Sequence, residues 1–119
     1  MSSTRRVLLI EQDAAVRAAL AQALAGGGAE VIVASDGADG IARLEDGAAP
    51  AVVLVDLRQP DSGGEAFVAA VRSDPRFADV PVITMSAEGG SRRGREAAPF
   101  DVDDVLAIVL SLCEPDRRS

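Results

Sequence analysis

The sequence predicts a doubly wound α/β domain, in which helices cover both faces of a parallel β-sheet. Three times along the chain an apolar strand is followed by a helical segment, and a fourth strand then follows. The third of these strands, residues 51–55 (Ala-Val-Val-Leu-Val), is entirely apolar, which is typical of a strand that is buried on both faces of a parallel sheet. Right-handed crossovers are expected to join the strands.

The first two strands and the helix between them are marked by their apolar residues. Val7–Ile10 is a run of four aliphatic residues. The segment 14–25 places aliphatic residues at spacings of four, which predicts a helix, and the glycines 26–28 end it. The sequence Glu-Val-Ile-Val-Ala at residues 30–34 predicts the second strand.

Two shorter helices flank the third strand. The turn at residues 35–37 leads into a helix over residues 37–44. After the third strand, residues 62–65 (Ser-Gly-Gly-Glu) have the form of a capping box, in which the serine caps a helix that runs to about Asp74. Residues 81–85 predict the fourth strand.

The regular alternation stops after the fourth strand. Residues 88–96 contain three glycines and no larger apolar side chain, so we expect a solvated loop there instead of a fourth crossover helix. Residues 97–100 allow at most a stub of a fifth strand. A final helix is predicted at residues 101–113 and a frayed tail at 114–119, so residues 1–119 are expected to form a single domain with its core over residues 5–113.

Composition excludes several classes of function. The chain has 19 acidic and 12 basic residues, a net charge of −7, no histidine and one cysteine. Histidine-based catalysis, cysteine–histidine pairs and the usual zinc sites are therefore excluded. An acidic chain argues against nucleic acid as a partner. The absence of any long apolar run argues against a membrane span, and we expect a cytoplasmic location.

Acidic residues stand at the ends of two predicted strands. Asp56 directly follows the third strand, and Glu11 directly follows the first. Ligands of open α/β sheets bind at the carboxyl ends of the strands. We therefore expect both carboxylates at one edge of the sheet, where an acid without a role would be costly to bury.

Five segments together carry a family resemblance. They are Glu11 after the first strand, Asp56 after the third, Pro60 with Gly63–Gly64 in the following loop, Ser86 after the fourth strand, and Pro99-Phe100-Asp101 before the last helix. In this order the pattern resembles the receiver domain of bacterial response regulators over residues 5–113. The resemblance implies a flavodoxin-like fold, here truncated at the fourth helix and the fifth strand.

The resemblance also implies roles for these residues. Asp56 would be the phosphoacceptor, to which a partner histidine kinase transfers a phosphoryl group. Glu11, Asp56 and the backbone carbonyl of Arg58 would hold Mg²⁺, and Ser86 would be a switch hydroxyl. The protein would be a signalling module and not an enzyme, with a histidine kinase or an output protein as its partner.

Two positions depart from the family pattern. Gln12 stands where the second metal-binding acid is expected, and Ala98 stands where the pattern has a lysine. A unit charge pair near 4 Å is worth about 4 kcal/mol at an effective dielectric constant of 20. Weakened Mg²⁺ binding and an atypical receiver that signals through protein contacts are therefore predicted. Asp13 or an arginine is a candidate substitute.

Other functions and an assembly also remain open on the sequence alone. A conventional phospho-accepting receiver with substitute residues is one alternative, and a flavodoxin-like domain that binds a nucleotide or flavin is another. The loops lack the glycine-rich phosphate cradles that the second alternative requires. Because no fourth helix covers the fourth strand, we also expect a homodimer, or a complex with another protein, through strand 82–85 and the apolar helix 101–113.

Overall fold

The fold is known from a computed structural model of the chain. It describes residues 5–57, 63–86, 90–93 and 96–97, together with the three helical residues Ala107, Val109 and Ser111. Of Ser86 and of the stretches 90–93 and 96–97, only the main chain is described.

Strands and helices follow one another in the predicted order. The first seven elements are β1 (Arg6–Ile10), α1 (Ala14–Gly26), β2 (Glu30–Ala34), α2 (Gly37–Glu45), β3 (Val52–Asp56), α3 (Gly64–Ser73) and β4 (Val82–Ser86). Each boundary lies within one or two residues of the sequence prediction. The agreement is close because glycines, prolines and caps end most of these elements.

These four strands form the predicted parallel sheet, with the spatial order β2-β1-β3-β4. Strand β1 pairs with β2 through Ile10 and Ala34, and with β3 through Ile10 and Val55. Strand β3 pairs with β4 through Asp56 and Met85. The predicted fold class, a doubly wound parallel sheet, is confirmed.

The segment after β4 differs from the expected solvated loop. Gly90–Arg93 forms a strand, β5, that pairs antiparallel with β4, and Glu96–Ala97 forms a short strand, β6, that pairs antiparallel with β5. The prediction failed because it required apolar side chains. An edge strand needs only main-chain partners and tolerates polar and charged residues.

This hairpin also corrects the predicted dimer interface. Thr84, Met85 and Ser86 of β4 are paired with β5, so this part of the outer edge of β4 is occupied within the chain. The expected open edge is wrong at these residues, and the homodimer stays a prediction. Most of the predicted helix 101–113, like the tail 114–119, lies outside the described residues.

The sheet separates two hydrophobic clusters, one on each face. The first lies on the face that α1 covers and consists of Val7, Leu9, Leu20, Leu24, Val52, Leu54, Ile83, Met85 and Val109. The second lies under α2 and α3 and consists of Leu8, Ile10, Ala34, Leu44, Val53, Val55, Phe67 and Val71. Successive residues of β1 and β3 therefore face opposite clusters, as the period of two along a strand requires.

Helix α3 begins differently from the predicted capping box. Its N-cap is Gly63, whose φ of 74° is in the left-handed region and whose position carries no side-chain cap hydrogen bond. A left-handed residue at this point suits glycine, which has no Cβ. In the part of the chain that the structure describes, no helix is long and apolar enough to cross a membrane.

Candidate functional site: a buried carboxylate pair at the sheet edge

Glu11 and Asp56 lie side by side at the carboxyl ends of β1 and β3. The pairing of Ile10 with Val55 places the two acids next to one another as the strands end. Strand alternation puts both on the face of the sheet that α1 covers, with Val7, Leu9, Val52 and Leu54 below them. Glu11 is 1% exposed and Asp56 is 2% exposed. The fold thus brings both carboxylates to one edge of the sheet, as the sequence predicts.

The loop between β1 and α1 fixes the orientation of Glu11. The amide of Glu11 donates to the carbonyl oxygen of Ala34 at 3.0 Å, which ties the loop to β2. The amide of Asp13 donates to Glu11 Oε2 at 3.1 Å. One carboxylate oxygen of Glu11 is therefore held by the main chain two residues further on.

Asp13 is engaged as a helix cap. Its Oδ1 atom accepts a hydrogen bond from the amide of Val16 at 3.0 Å, and it is the N-cap of α1. Asp13 is exposed, and so is Gln12. The suggestion that Asp13 replaces the missing second acid is therefore at odds with its position, because its carboxylate already caps the helix.

Arg17 is a residue of this site that the sequence prediction missed. Its Nη1 atom reaches back from α1 and donates to the carbonyl oxygen of Glu11 at 2.9 Å and to that of Gln12 at 3.4 Å. In the sequence it lies six residues after Glu11, and one helical turn brings its side chain over the loop. The apolar spacing that predicts α1 gives no signal for this contact, because it concerns only the side chains that face the core.

The strand end next to Asp56 is set by β4. The amide of Leu57 donates to the carbonyl oxygen of Met85 at 2.7 Å, so the main chain stays paired one residue beyond Asp56. Ser86 is the last residue of β4 and adjoins this edge by its main chain. The side chain of Ser86 lies outside the described residues, as do Arg58, Ala98 and the Pro99–Phe100 segment.

A backbone contact joins the two loops on the other face of this edge. A Cβ atom on Gly37, at the start of α2, would overlap the carbonyl oxygen of Gly63, and it would lie 3.2 Å from Cβ of Phe67. The absent side chain of Gly37 therefore allows α2 to approach the start of α3, which follows the loop after Asp56.

The donor chemistry of the edge fits part of what Mg²⁺ requires. Mg²⁺ is a hard cation that takes oxygen ligands and is commonly held by one or two carboxylates, with water completing the shell. Glu11 and Asp56 supply two buried carboxylates, which fits. Among the described residues, no three acidic, histidine or cysteine side chains lie close enough together to hold a metal ion.

The described arginines differ in whether they contact the carboxylate loop. The chain contains no lysine, so all 12 of its basic residues are arginines. The contacts of Arg6, Arg43, Arg72 and Arg76 are with residues away from Glu11 and Asp56. Arg17, by contrast, makes its hydrogen bonds with the β1–α1 loop.

The opposite, amino end of the sheet carries exposed ion pairs. Arg76 Nη2 lies 2.7 Å from Asp74 Oδ2 and 3.5 Å from Glu45 Oε2. The side-chain hydrogen bond from Arg76, with a second one from its amide, lowers the pKa of Asp74 below its usual value. A cavity of about 330 Å³ adjoins this cluster and is lined mainly by Leu44, Pro50, Phe77 and Val80.

Comparison with known proteins identifies what this arrangement resembles. A family model described as the response regulator receiver domain matches residues 7–107. The response regulator Rre1 of Synechocystis is 34% identical over 80 residues, which is 59% of this chain. The DNA-binding dual master transcriptional regulator RpaA of the same organism is 32% identical over 123 aligned positions, which cover 95% of this chain.

A solved structure agrees with this family match. The apo receiver domain of nitrogen regulatory protein C superimposes with a TM-score of 0.70 at 26% identity, over 93% of this chain and 95% of that one. The chain spans only 35% of the length of Rre1 and 51% of the length of RpaA. The similarity to those two relatives is therefore to a part of each.

Proposed function

Because the chain belongs to the response regulator receiver domain family, we propose that it is an atypical receiver of two-component signalling. In this proposal Asp56 is the phosphoacceptor, Mg²⁺-dependent phosphorylation is slow, and signalling relies mainly on contacts with other proteins. Its partner would be a histidine kinase or an output protein, in the cytoplasm. Such a domain accepts a group and passes on a signal without catalytic turnover of a substrate.

One observation carries the proposal. Glu11 and Asp56 are buried together at the sheet edge, while the positions expected to bring a further acid and a lysine hold Gln12 and Ala98. Gln12 is exposed, and Asp13 is used as the cap of α1. This supports a site that retains the proposed acceptor, while two of the charges that the family pattern places beside it are absent from their positions.

The chemistry explains why these charges matter. An oxygen of the Asp56 carboxylate would attack the phosphorus, forming an acyl phosphate while the bond to the leaving nitrogen or oxygen breaks. Bound Mg²⁺ would supply positive charge that offsets the approach of two anions. In this chain Glu11 and Asp56 would hold it, with the Arg58 carbonyl as a further proposed ligand, and Ser86 would be a weak switch hydroxyl.

Intact mass after incubation with acetyl phosphate and Mg²⁺ tests the proposal. We expect slow and partial gain of one phosphoryl group, and none in Asp56→Asn. Restoring both charges with Gln12→Asp and Ala98→Lys should raise the rate by at least about tenfold, because each restored charge acts at short range in a partly desolvated site. Rapid, stoichiometric phosphorylation of the unmodified chain would instead identify a conventional receiver.

A matched control separates local from overall charge effects. Gln22→Asp with Ala23→Lys introduces the same two charges on the exposed side of α1, away from the sheet edge. This control should leave the phosphorylation rate unchanged. An equal acceleration in both double variants would contradict the assignment of the deficit to positions 12 and 98.

A further inference from the structure

Glu11 must be oriented as well as buried if it is to bind a cation together with Asp56. A short, flexible loop leaves a terminal carboxylate several rotamers, and ordering it at the moment of binding costs affinity. In this chain the loop is held at three points: the Glu11 amide on Ala34, the Asp13 amide on Glu11 Oε2, and the Asp13 side chain on Val16. In each of these three hydrogen bonds the donor is a main-chain amide.

The side chain of Arg17 adds a charged donor to the hydrogen bonds that hold this loop. Its guanidinium binds the main-chain oxygens of Glu11 and Gln12 and is itself half-buried against the loop. Both hydrogen bonds come from one nitrogen, Nη1, and the one to Glu11, at 2.9 Å, is the shorter. Groups of this kind, which hold a ligand residue without touching the ligand, commonly alter metal affinity when they are removed.

We propose that Arg17 is a positioning residue of the buried carboxylate pair: by holding the carbonyl oxygens of Glu11 and Gln12, it orients the Glu11 carboxylate to bind a divalent cation together with Asp56. This inference rests on the proposed function for the identity of the site. It assigns to an arginine in α1 a role that neither the sequence pattern nor the family match assigns.

The geometry and the charge of Arg17 predict opposite effects on cation binding. If Arg17 acts by orientation, its removal weakens the binding of a divalent cation. If it acts only as a nearby positive charge, its removal strengthens that binding, because a cation repels a cation at short range. The sign of the change therefore distinguishes the two roles.

Mn²⁺ binding, measured by the EPR signal of the free ion, provides this test. We expect Arg17→Gln to bind Mn²⁺ about tenfold more weakly than the unmodified chain. Arg17→Lys keeps the charge but replaces the guanidinium, whose Nη1 reaches both carbonyl oxygens, with a differently placed ammonium, and should be intermediate. Arg43→Gln is the matched control: it removes one positive charge from α2, where Arg43 pairs with Asp39, and it should leave the affinity unchanged or slightly increased.

Two results would overturn the positioning role. One is tighter Mn²⁺ binding in Arg17→Gln with Arg17→Lys equal to the unmodified chain. The other is unchanged Mn²⁺ affinity in Arg17→Gln accompanied by a lower melting temperature, which would indicate a purely structural contact. The amide of Asp13 offers a second readout, because its NMR shift and exchange rate report its hydrogen bond to Glu11; no change in Arg17→Gln would also contradict the inference.

The experiment keeps this inference separate from the proposed function. Failure of the unmodified chain to bind Mn²⁺ at millimolar concentrations would overturn the role of Arg17 while leaving slow phosphorylation at Asp56 intact. Fast phosphorylation of the unmodified chain would overturn the atypical receiver while leaving the effect of Arg17 on Mn²⁺ affinity to stand. If Arg17→Gln fails to fold, Arg17→Lys still gives the comparison of affinities.

Discussion

The two ends of the parallel sheet differ in how exposed their charged side chains are. At the carboxyl end, Glu11 and Asp56 are 1% and 2% exposed, and main-chain groups hold the loop around them. At the amino end, the acids Glu45 and Asp74 share Arg76, whose side chain is 60% exposed. Exposed pairs contribute little to stability, whereas buried charge is expensive and is kept where it is used.

The main chain also differs between the ends. At the carboxyl end, α2 and α3 approach so closely that Gly37 has no room for a side chain against Gly63. At the amino end, a Cβ atom added to Gly26 or Gly47 would have no neighbouring atom within 4 Å. The carboxyl end is thus closely packed at Gly37, whereas at the amino end there is space for a side chain at Gly26, and at Gly47 only the left-handed φ of 92° disfavours one.

Of the substitutions that test this difference between the two ends, Gly37→Ala should have the largest effect on stability. The added methyl would overlap the Gly63 carbonyl, so the start of α3 must move, and we expect a loss of about 1–3 kcal/mol in the free energy of unfolding. Urea unfolding followed by far-UV circular dichroism measures it, since the chain has no tryptophan or tyrosine.

Gly26→Ala is the control for that prediction. Gly26 ends α1, and a Cβ there would meet nothing within 4 Å. We expect a neutral effect or a gain of up to about 1 kcal/mol, because alanine restricts the unfolded chain more than glycine does. Equal destabilisation by both substitutions would show that the carboxyl end is no more closely packed than the end of α1.

Asp13→Ala should give an intermediate effect. The substitution removes the cap of α1 and the hydrogen bond to the Val16 amide, which typically costs about 1 kcal/mol. Asp13→Asn keeps a capping side chain and should remain close to the unmodified stability. It should also leave Mn²⁺ affinity nearly unchanged; a marked loss of affinity would instead make Asp13 a metal-side acid.

The smallest effect is expected at the amino end, from Arg76→Gln. Because Arg76 lowers the pKa of Asp74, this pair stabilises the fold above the unfolded-state pKa of Asp74, and that contribution is lost as the pH falls through the lower, folded-state value. Comparing the unmodified chain with Arg76→Gln at neutral and acidic pH should show a small difference at neutral pH that disappears in acid. A difference in stability that grows in acid would contradict the lowered pKa of Asp74.

Much of this architecture follows from local sequence. The strands β1 and β3 are apolar because both of their faces are covered, and that pattern predicts them together with the acids that follow them. Glycine runs and caps set the helix ends to within one or two residues. The meeting of Glu11 and Asp56 was also predictable, since parallel strands end at a common edge.

Other features depend on contacts that the sequence does not display. The strand β5 has no apolar pattern, because its pairing with β4 uses main-chain groups that every residue carries. The close approach of Gly37 to Gly63, the N-cap of α3, joins two positions that are distant in the chain. The use of Asp13 Oδ1 as the cap of α1 likewise becomes visible only in the folded chain.

Residue identity and period are local properties, and they specify the alternation of strands and helices, the acids at the strand ends and the charges missing at positions 12 and 98. The reach of Arg17 to the carbonyls of Glu11 and Gln12, and the closure of the β4 edge by β5, become visible once the chain is folded. Hydrogen bonds between separate elements depend on how those elements pack, and many sequences with the same pattern could pack them differently.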